Sequence, residues 1–135
     1  MIKILLLSIV LTFSLFAKEN SLAEYDLAMK YLSQKNYKAA LEHLQTAAEN
    51  NISNAQYNLA LMYYQGDGVK QDIKKSAMWL ERAAKNGHTG AVANVGRIYM
   101  QLMNFKKARY WLQKNADNGD KEAEILLKEM ESLQK

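Results

Sequence analysis

Ala55-Gln-Tyr-Asn-Leu59-Ala60-Leu-Met-Tyr63 returns 36 residues later as Ala91-Val-Ala-Asn-Val95-Gly96-Arg-Ile-Tyr99. Alanine, asparagine, an aliphatic residue, a tiny residue and tyrosine keep their places. Most of the pattern also lies 32 residues earlier, in Ala23-Glu-Tyr-Asp-Leu27-Ala28-Met-Lys-Tyr31, and Ala123-Glu-Ile-Leu-Leu127 opens a fourth copy. Self-similarity at a fixed period of roughly 20–50 residues marks an array of stacked units. In a helix Ala55, Leu59 and Tyr63 fall on one face. The tiny residue at Ala28, Ala60 and Gly96 lets a partner helix come close.

Each unit has a repeating second half. Asn36-Tyr-Lys-Ala-Ala40-Leu-Glu-His43-Leu44-Gln45 aligns with Asn104-Phe-Lys-Lys-Ala108-Arg-Tyr-Trp111-Leu112-Gln113. Ile73-Lys-Lys-Ser76-Ala-Met-Trp79-Leu80-Glu81 is the same segment in the middle unit, which is longer by the four residues Gly66-Asp67-Gly68-Val69. The units end in Asn50-Asn51, Asn86-Gly87 and Asn118-Gly119, residues that tolerate the left-handed conformation beyond a helix C-terminus. The spacing predicts helices near 20–34, 37–49, 54–65, 73–85, 89–101, 105–117 and 120–134, with repeats about 20–51, 52–87 and 88–119. Three helix hairpins and a terminal capping helix result. Trp79 and Trp111 are expected to fill the space between units.

Composition agrees with an all-α fold. The 135 residues contain no proline and only 6 glycines, so little interrupts a helix. Lys and Arg outnumber Asp and Glu by 18 to 14, a mild excess not concentrated in any basic stretch. That argues against a nucleic-acid partner, whose binders cluster cations on one face. Cysteine is absent, which excludes a disulfide framework and a lipidated leader.

The chain opens with Lys3 and an apolar run from Ile4 to Ala17. One cation, a short apolar stretch and a terminal alanine read as a signal peptide over residues 1–17, leaving 18–135 as the repeat domain. The run falls short of the roughly 20 apolar residues of a membrane span. Leu15 is large for its position before the cut, so the alternative is an uncleaved anchor, the one membrane contact expected. The destination is periplasmic or secreted, in a bacterium.

The middle unit resembles a Sel-like repeat, a branch of the tetratricopeptide repeat superfamily. The resemblance rests on Ala55, Leu59, Ala60, Tyr63, the Gly66-x-Gly68-Val69 loop, Asp72, Lys75, Trp79 and Ala83-Ala84 before Gly87. The outer units are similar to tetratricopeptide repeats without that loop, through Ala28, Tyr31, Ala40, Leu44 and Ala47. It implies a short right-handed α/α solenoid acting as an adaptor or scaffold, with a protein or peptide held on the concave surface. Some exported relatives carry paired cysteines and have been linked to β-lactam binding. This chain lacks those cysteines, so a β-lactam-recognising hydrolase is kept only as an alternative, beside a self-assembling structural protein.

Groups able to do chemistry are sparse. His43 stands where the other units have tryptophan and reads as a packed interface residue; His88, after Gly87, reads as an exposed loop residue. With no carboxylate at ligand spacing, neither suggests a metal, and no cofactor motif is present. Ser132-Leu-Gln-Lys135 has the S-x-x-K spacing but lacks the companion motifs of penicillin-recognising enzymes. No catalytic residue is assigned.

A second stripe on each first helix points away from the core. It reads Leu22, Tyr25, Met29 and Leu32, then Asn54, Tyr57, Leu61 and Tyr64, then Ala93, Arg97 and Met100. A helix apolar on two faces buries both or offers one to a partner. The expected partner groove is therefore Tyr25, Met29, Tyr57, Leu61, Tyr64, Arg97 and Met100, with Arg97 poised for a partner's carboxylate. Self-packing of the stripe is the alternative. Finally, Glu49-Asn-Asn51-Ile-Ser53 fits an extended N-glycosylation acceptor, which makes Asn51 a candidate modification site in an exposed connection.

Overall fold

The computed structural model describes residues 1–132. It contains α1 (Ile2–Ser33), α2 (Tyr37–Glu49), α3 (Ser53–Gln65), α4 (Ile73–Lys85), α5 (Thr89–Gln101), α6 (Phe105–Asp117) and α7 (Lys121–Ser132). Each helix packs on the next in chain order, so the hairpins α1–α2, α3–α4 and α5–α6 stack as an α-solenoid ending in α7.

The expected first helix begins far earlier than residue 20. No proline or glycine separates the apolar run from Leu22, so nothing ends the helix between them, and α1 is 32 residues long. Two physical regimes share it. Every residue from Met1 to Asn20 is exposed, and packing starts at Ser21, whose hydroxyl donates to the Ala17 carbonyl at 2.8 Å. Among the described residues no helix is long and apolar enough to cross a membrane.

Local chemistry sets the other boundaries. Asn36, Asp72 and Asn104 cap α2, α4 and α6, accepting from the backbone N–H of Ala39, Lys75 and Lys107. The ends of α2, α4 and α6 share one closure. Asn51, Gly87 and Gly119 adopt φ of 65°, 84° and 88°. The next N–H then returns to the carbonyls of Ala47, Ala83 and Asn115 at 3.1, 2.9 and 3.1 Å. This is the Schellman closure, which satisfies carbonyls that the helix leaves open.

The core is rich in alanine because the helices lie close together. Ala28, Ala47, Ala55, Ala60 and Leu59 are fully buried, as is the polar Gln56. Gln56 bridges two units: its Nε2 donates to the Ala48 carbonyl and its Oε1 accepts from Asn86 Nδ2, each at 2.9 Å. Trp79 and Trp111 are buried, as expected. The four-residue insertion also has a steric task. A Cβ on Gly68 would stand 2.5 Å from Tyr37 Cβ, and φ there is +67°, so only glycine lets this loop lie on the start of α2.

Candidate binding surface

The second stripe of the first helices divides into three environments. On α1, Tyr25 is half-buried and Met29 is exposed; both meet Asn58 of α3. Asn58 Nδ2 lies 3.3 Å from Tyr25 Oη, to which it donates, and 3.2 Å from Met29 Sδ. Tyr57 points toward the following unit and stacks on the His88 ring, with centroids 4.2 Å apart and an angle of 16°.

Between α3 and α5 the stripe opens into a cleft of about 290 Å³. Leu61, Tyr64 and Ile98 supply its apolar part; Asn94, Arg97 and Gln101 supply its polar groups. Tyr64 is 41% exposed, so its ring is available at the rim. Met100 departs from the expected groove: it is half-buried, packs against the core and is not among the residues lining this cleft.

Arg97 also departs from expectation, because its guanidinium is already engaged. Nη1 donates to the Ala93 carbonyl at 3.0 Å and to Asn94 Oδ1 at 3.2 Å, while Nη2 forms an ion pair with Glu122 of α7. A partner's carboxylate would have to displace Glu122 or share the cation. The spacing on α5 gave no sign of this, since Glu122 lies two helices further along.

Asn58 and Asn94 were missed as surface groups, although both occupy the asparagine position of the repeated nonapeptide. Their recurrence at a 36-residue offset was the available signal. Side-chain amides carry both donors and an acceptor, which suits them to an extended peptide backbone.

Of the two histidines, His43 takes its expected interface place and His88 does not lie exposed in a loop. His43 is half-buried as an interface residue, stacked on Tyr31 with centroids 5.4 Å apart. However, Nδ1 lies 2.6 Å from Glu24 Oε2, a carboxylate that α1 brings from 19 positions away. His88 is half-buried at the start of α5 instead of lying free in a loop. Its Nδ1 accepts from the Ala91 N–H at 3.1 Å, and burial lowers its pKa from the ordinary histidine value. Among the described residues, no group of three or more His, Cys, Asp or Glu side chains could hold a metal ion.

A different polar junction joins α4, α5 and α6. Glu81 accepts from Lys85 and Lys107 Nζ at 2.8 Å each, and from the Tyr99 hydroxyl. Burial pushes the Glu81 carboxyl pKa up, but the bonds from Lys107, Lys85 and Tyr99 outweigh it and hold the pKa at about 2. Burial and the neighbouring carboxylate raise the Tyr99 pKa. With each partner satisfied by the others, the junction is structural.

Ser132 Oγ donates to the Glu129 carbonyl at 2.7 Å; Lys135, the second member of the S-x-x-K spacing, lies outside the described residues. Asn51 is exposed after α2, where its Oδ1 lies 3.4 Å from Arg82 Nη2. The rest of the acceptor sequence is less open: Ile52 packs against the core and Ser53 begins α3.

Comparison with known proteins agrees with this architecture. The Sel1 repeat signature matches residues 21–52, 53–88 and 91–120. A Sel1 repeat protein of known structure from Oxalobacter formigenes superposes with a TM-score of 0.69 at 29% identity, covering 79% of this chain and 47% of its own. A negative regulator of exopolysaccharide production from Rhizobium meliloti is 36% identical over 59 residues, which are 44% of this chain and 22% of the regulator. A sel1-like repeat-containing protein of Acanthamoeba polyphaga mimivirus is 42% identical over 43 residues, 32% of this chain and 7% of that protein. This chain thus spans a minor part of the curated relatives it matches. With three successive matches across most of its length, the chain belongs to the Sel1 repeat family.

Proposed function

We propose that this protein is an exported adaptor that holds an extended segment of a partner protein in the cleft between α3 and α5. The observation that carries the reading is the composition of that cleft: Leu61, Tyr64 and Ile98 beside the amides of Asn94 and Gln101. Apolar side chains anchor a bound segment while amides pair with its backbone. Sel1 repeats are generally non-catalytic scaffolds, which supports binding over catalysis. The likeness to regulators of exopolysaccharide production supports a regulatory partner.

Tyr25, Met29 and Asn58 extend the surface along α1 and α3. Arg97 contributes through the edge of its ion pair with Glu122. Export draws its support from Lys3 and the exposed apolar start of α1, which takes no part in the packed array. Asn51 remains the acceptor proposed for glycan transfer during export, before Ile52 and Ser53 are packed.

Photo-crosslinking in the native host tests the adaptor reading. A benzophenone side chain replaces Tyr64, or exposed Gln45 on α2 as a control. A discrete partner crosslinked from position 64 and not from position 45 is expected. Equal labelling from both positions, or none from position 64, would overturn the assignment of the cleft. Amino-terminal sequencing of the exported protein separates cleavage near Ala17 from an uncleaved anchor, and its intact mass reports any glycan on Asn51.

A further inference from the structure

The cations look dispersed along the sequence, yet the fold collects many of them on two neighbouring helices. α4 carries Lys74, Lys75, Arg82 and Lys85 against the single acid Glu81. α6 carries Lys106, Lys107, Arg109 and Lys114 against the single acid Asp117. Both helices pack on α5, and the ion pair between Lys107 and Glu81 links them directly. The equivalent helix α2 holds Lys38 against Glu42 and Glu49, so the basic surface belongs to the second and third repeats only. With a formal charge of +4 for the whole chain, the residues outside α4 and α6 are net acidic.

Packing gives several of these cations fixed seats. Lys75 Nζ lies 5.3 Å from the Tyr63 ring centroid and Lys107 Nζ 4.8 Å from that of Tyr99. Arg82 Cζ lies 4.7 Å from the Trp79 ring and Lys114 Nζ 5.3 Å from that of Trp111. The same two seats therefore recur in successive repeats. The first repeat has Ala39 and Thr46 at those positions.

Apolar side chains project among the charges. Met78 shares a shallow depression with Lys74, Leu102 and Lys107. Tyr110 lies among Lys106, Arg109 and Lys114. Met78 is 50% exposed and Tyr110 is 61% exposed. A polyanion such as a nucleic acid would neutralise the lysines but offer Met78 no apolar medium. A bilayer offers both anionic headgroups and an acyl boundary.

We infer that the α4–α6 face docks on a bilayer rich in anionic phospholipid. Lys74, Lys106 and Lys114 meet the headgroups, while Met78 and Tyr110 enter the interface. The cleft between α3 and α5 is lined by other residues and stays available to a partner. This attachment is separate from the apolar start of α1, and neither depends on the adaptor reading.

The test uses the full chain and co-sedimentation with vesicles of pure phosphatidylcholine, or of phosphatidylcholine containing a third of phosphatidylglycerol. The start of α1 contributes on both lipids, so the difference between them reports the basic face. Stronger binding to the anionic vesicles, weakening as salt rises, is expected. Each cation near an anionic surface is worth roughly a fivefold change in partitioning. The triple variant Lys74→Gln, Lys106→Gln, Lys114→Gln should therefore lower binding to anionic vesicles at least tenfold, with an unchanged circular dichroism spectrum. The corresponding triple arginine variant should retain it. Met78→Ser with Tyr110→Ser should weaken the anionic binding that remains in high salt. Equal binding to both lipids, or full binding by the glutamine variant, would overturn the proposal. Capture of polyuridylate without preference for anionic vesicles would also overturn it and give the face to nucleic acid.

Discussion

Gly96 of α5 lies directly against Leu112 of α6: a Cβ added to Gly96 would stand 2.8 Å from both Leu112 Cγ and Cδ2, and 3.3 Å from its backbone nitrogen. The helices of the third hairpin are thus closer than a methyl group permits. Gly96→Ala sets two effects against each other. Alanine favours the helix by about 1 kcal/mol, while overpacking typically costs about 1–3 kcal/mol. Because the obstruction includes a branch carbon and backbone, the clash should win. Chemical denaturation should show a net loss of about 1 kcal/mol, and Gly96→Val a larger one. An unchanged or raised midpoint for Gly96→Ala would mean that α6 shifts freely.

Trp79 is 7% exposed, with Arg82 over its ring. Trp79→Ala should cost about 3–5 kcal/mol, the range for emptying a buried aromatic site. In a short array that loss should bring cooperative unfolding close to room temperature. A melting temperature within a few degrees of the parent would show that Trp79 does not hold the units together.

The Glu81 junction predicts sensitivity to acid. Its folded pKa of about 2 lies below its ordinary value of 4.5. Its stabilisation is therefore present above pH 4.5 and is lost as the pH falls from 4.5 toward 2. Lys107 is half-exposed, so screening holds the contribution to no more than about 3 kcal/mol. Glu81→Gln should lower the melting temperature at neutral pH and flatten its decline across that acidic window. Parallel pH profiles for parent and variant would exclude Glu81 as the source.

Tyr57 and Tyr64 share one stripe but should respond differently. Tyr57→Ala removes the stack on His88, so it should cost about 0.5–1.5 kcal/mol beyond the lost burial. Tyr64→Ala should leave the melting temperature nearly unchanged while weakening partner binding, because that ring stands at the cleft rim. Equal destabilisation by both would make the whole stripe a packing surface.

His88 adds a second pH effect. Burial lowers its folded pKa below the ordinary 6.5, so its contribution is complete above pH 6.5 and diminishes as the pH falls through the folded value. Protonation also removes the Nδ1 acceptor that caps α5. His88→Asn retains a capping side chain without the titration, and should abolish the part of the stability change that begins just below pH 6.5. Persistence of that change in the variant would assign it to another group.

The sequence by itself determined the repeat, the helix hairpins and the residues that close them. These depend on short-range relations: apolar spacing along one helix, an asparagine or aspartate before its first turn, and Asn51, Gly87 or Gly119 after its last. The nonapeptides at Ala55 and Ala91 therefore identified the fold without knowledge of any distant contact. The start of α1 was harder to place, because a leader-like composition does not itself end a helix. Tertiary structure alone decided which second-stripe residues stay available. Glu122 reaches Arg97, His88 covers Tyr57 and the core takes Met100, while Leu61 and Tyr64 line the open cleft. It also decided where charge accumulates, since the lysines of α4 and α6 become neighbours only when their repeats stack. The division follows from range: a helix and its caps use neighbours in sequence, whereas the exposure and charge of a surface are set by side chains that arrive from other helices.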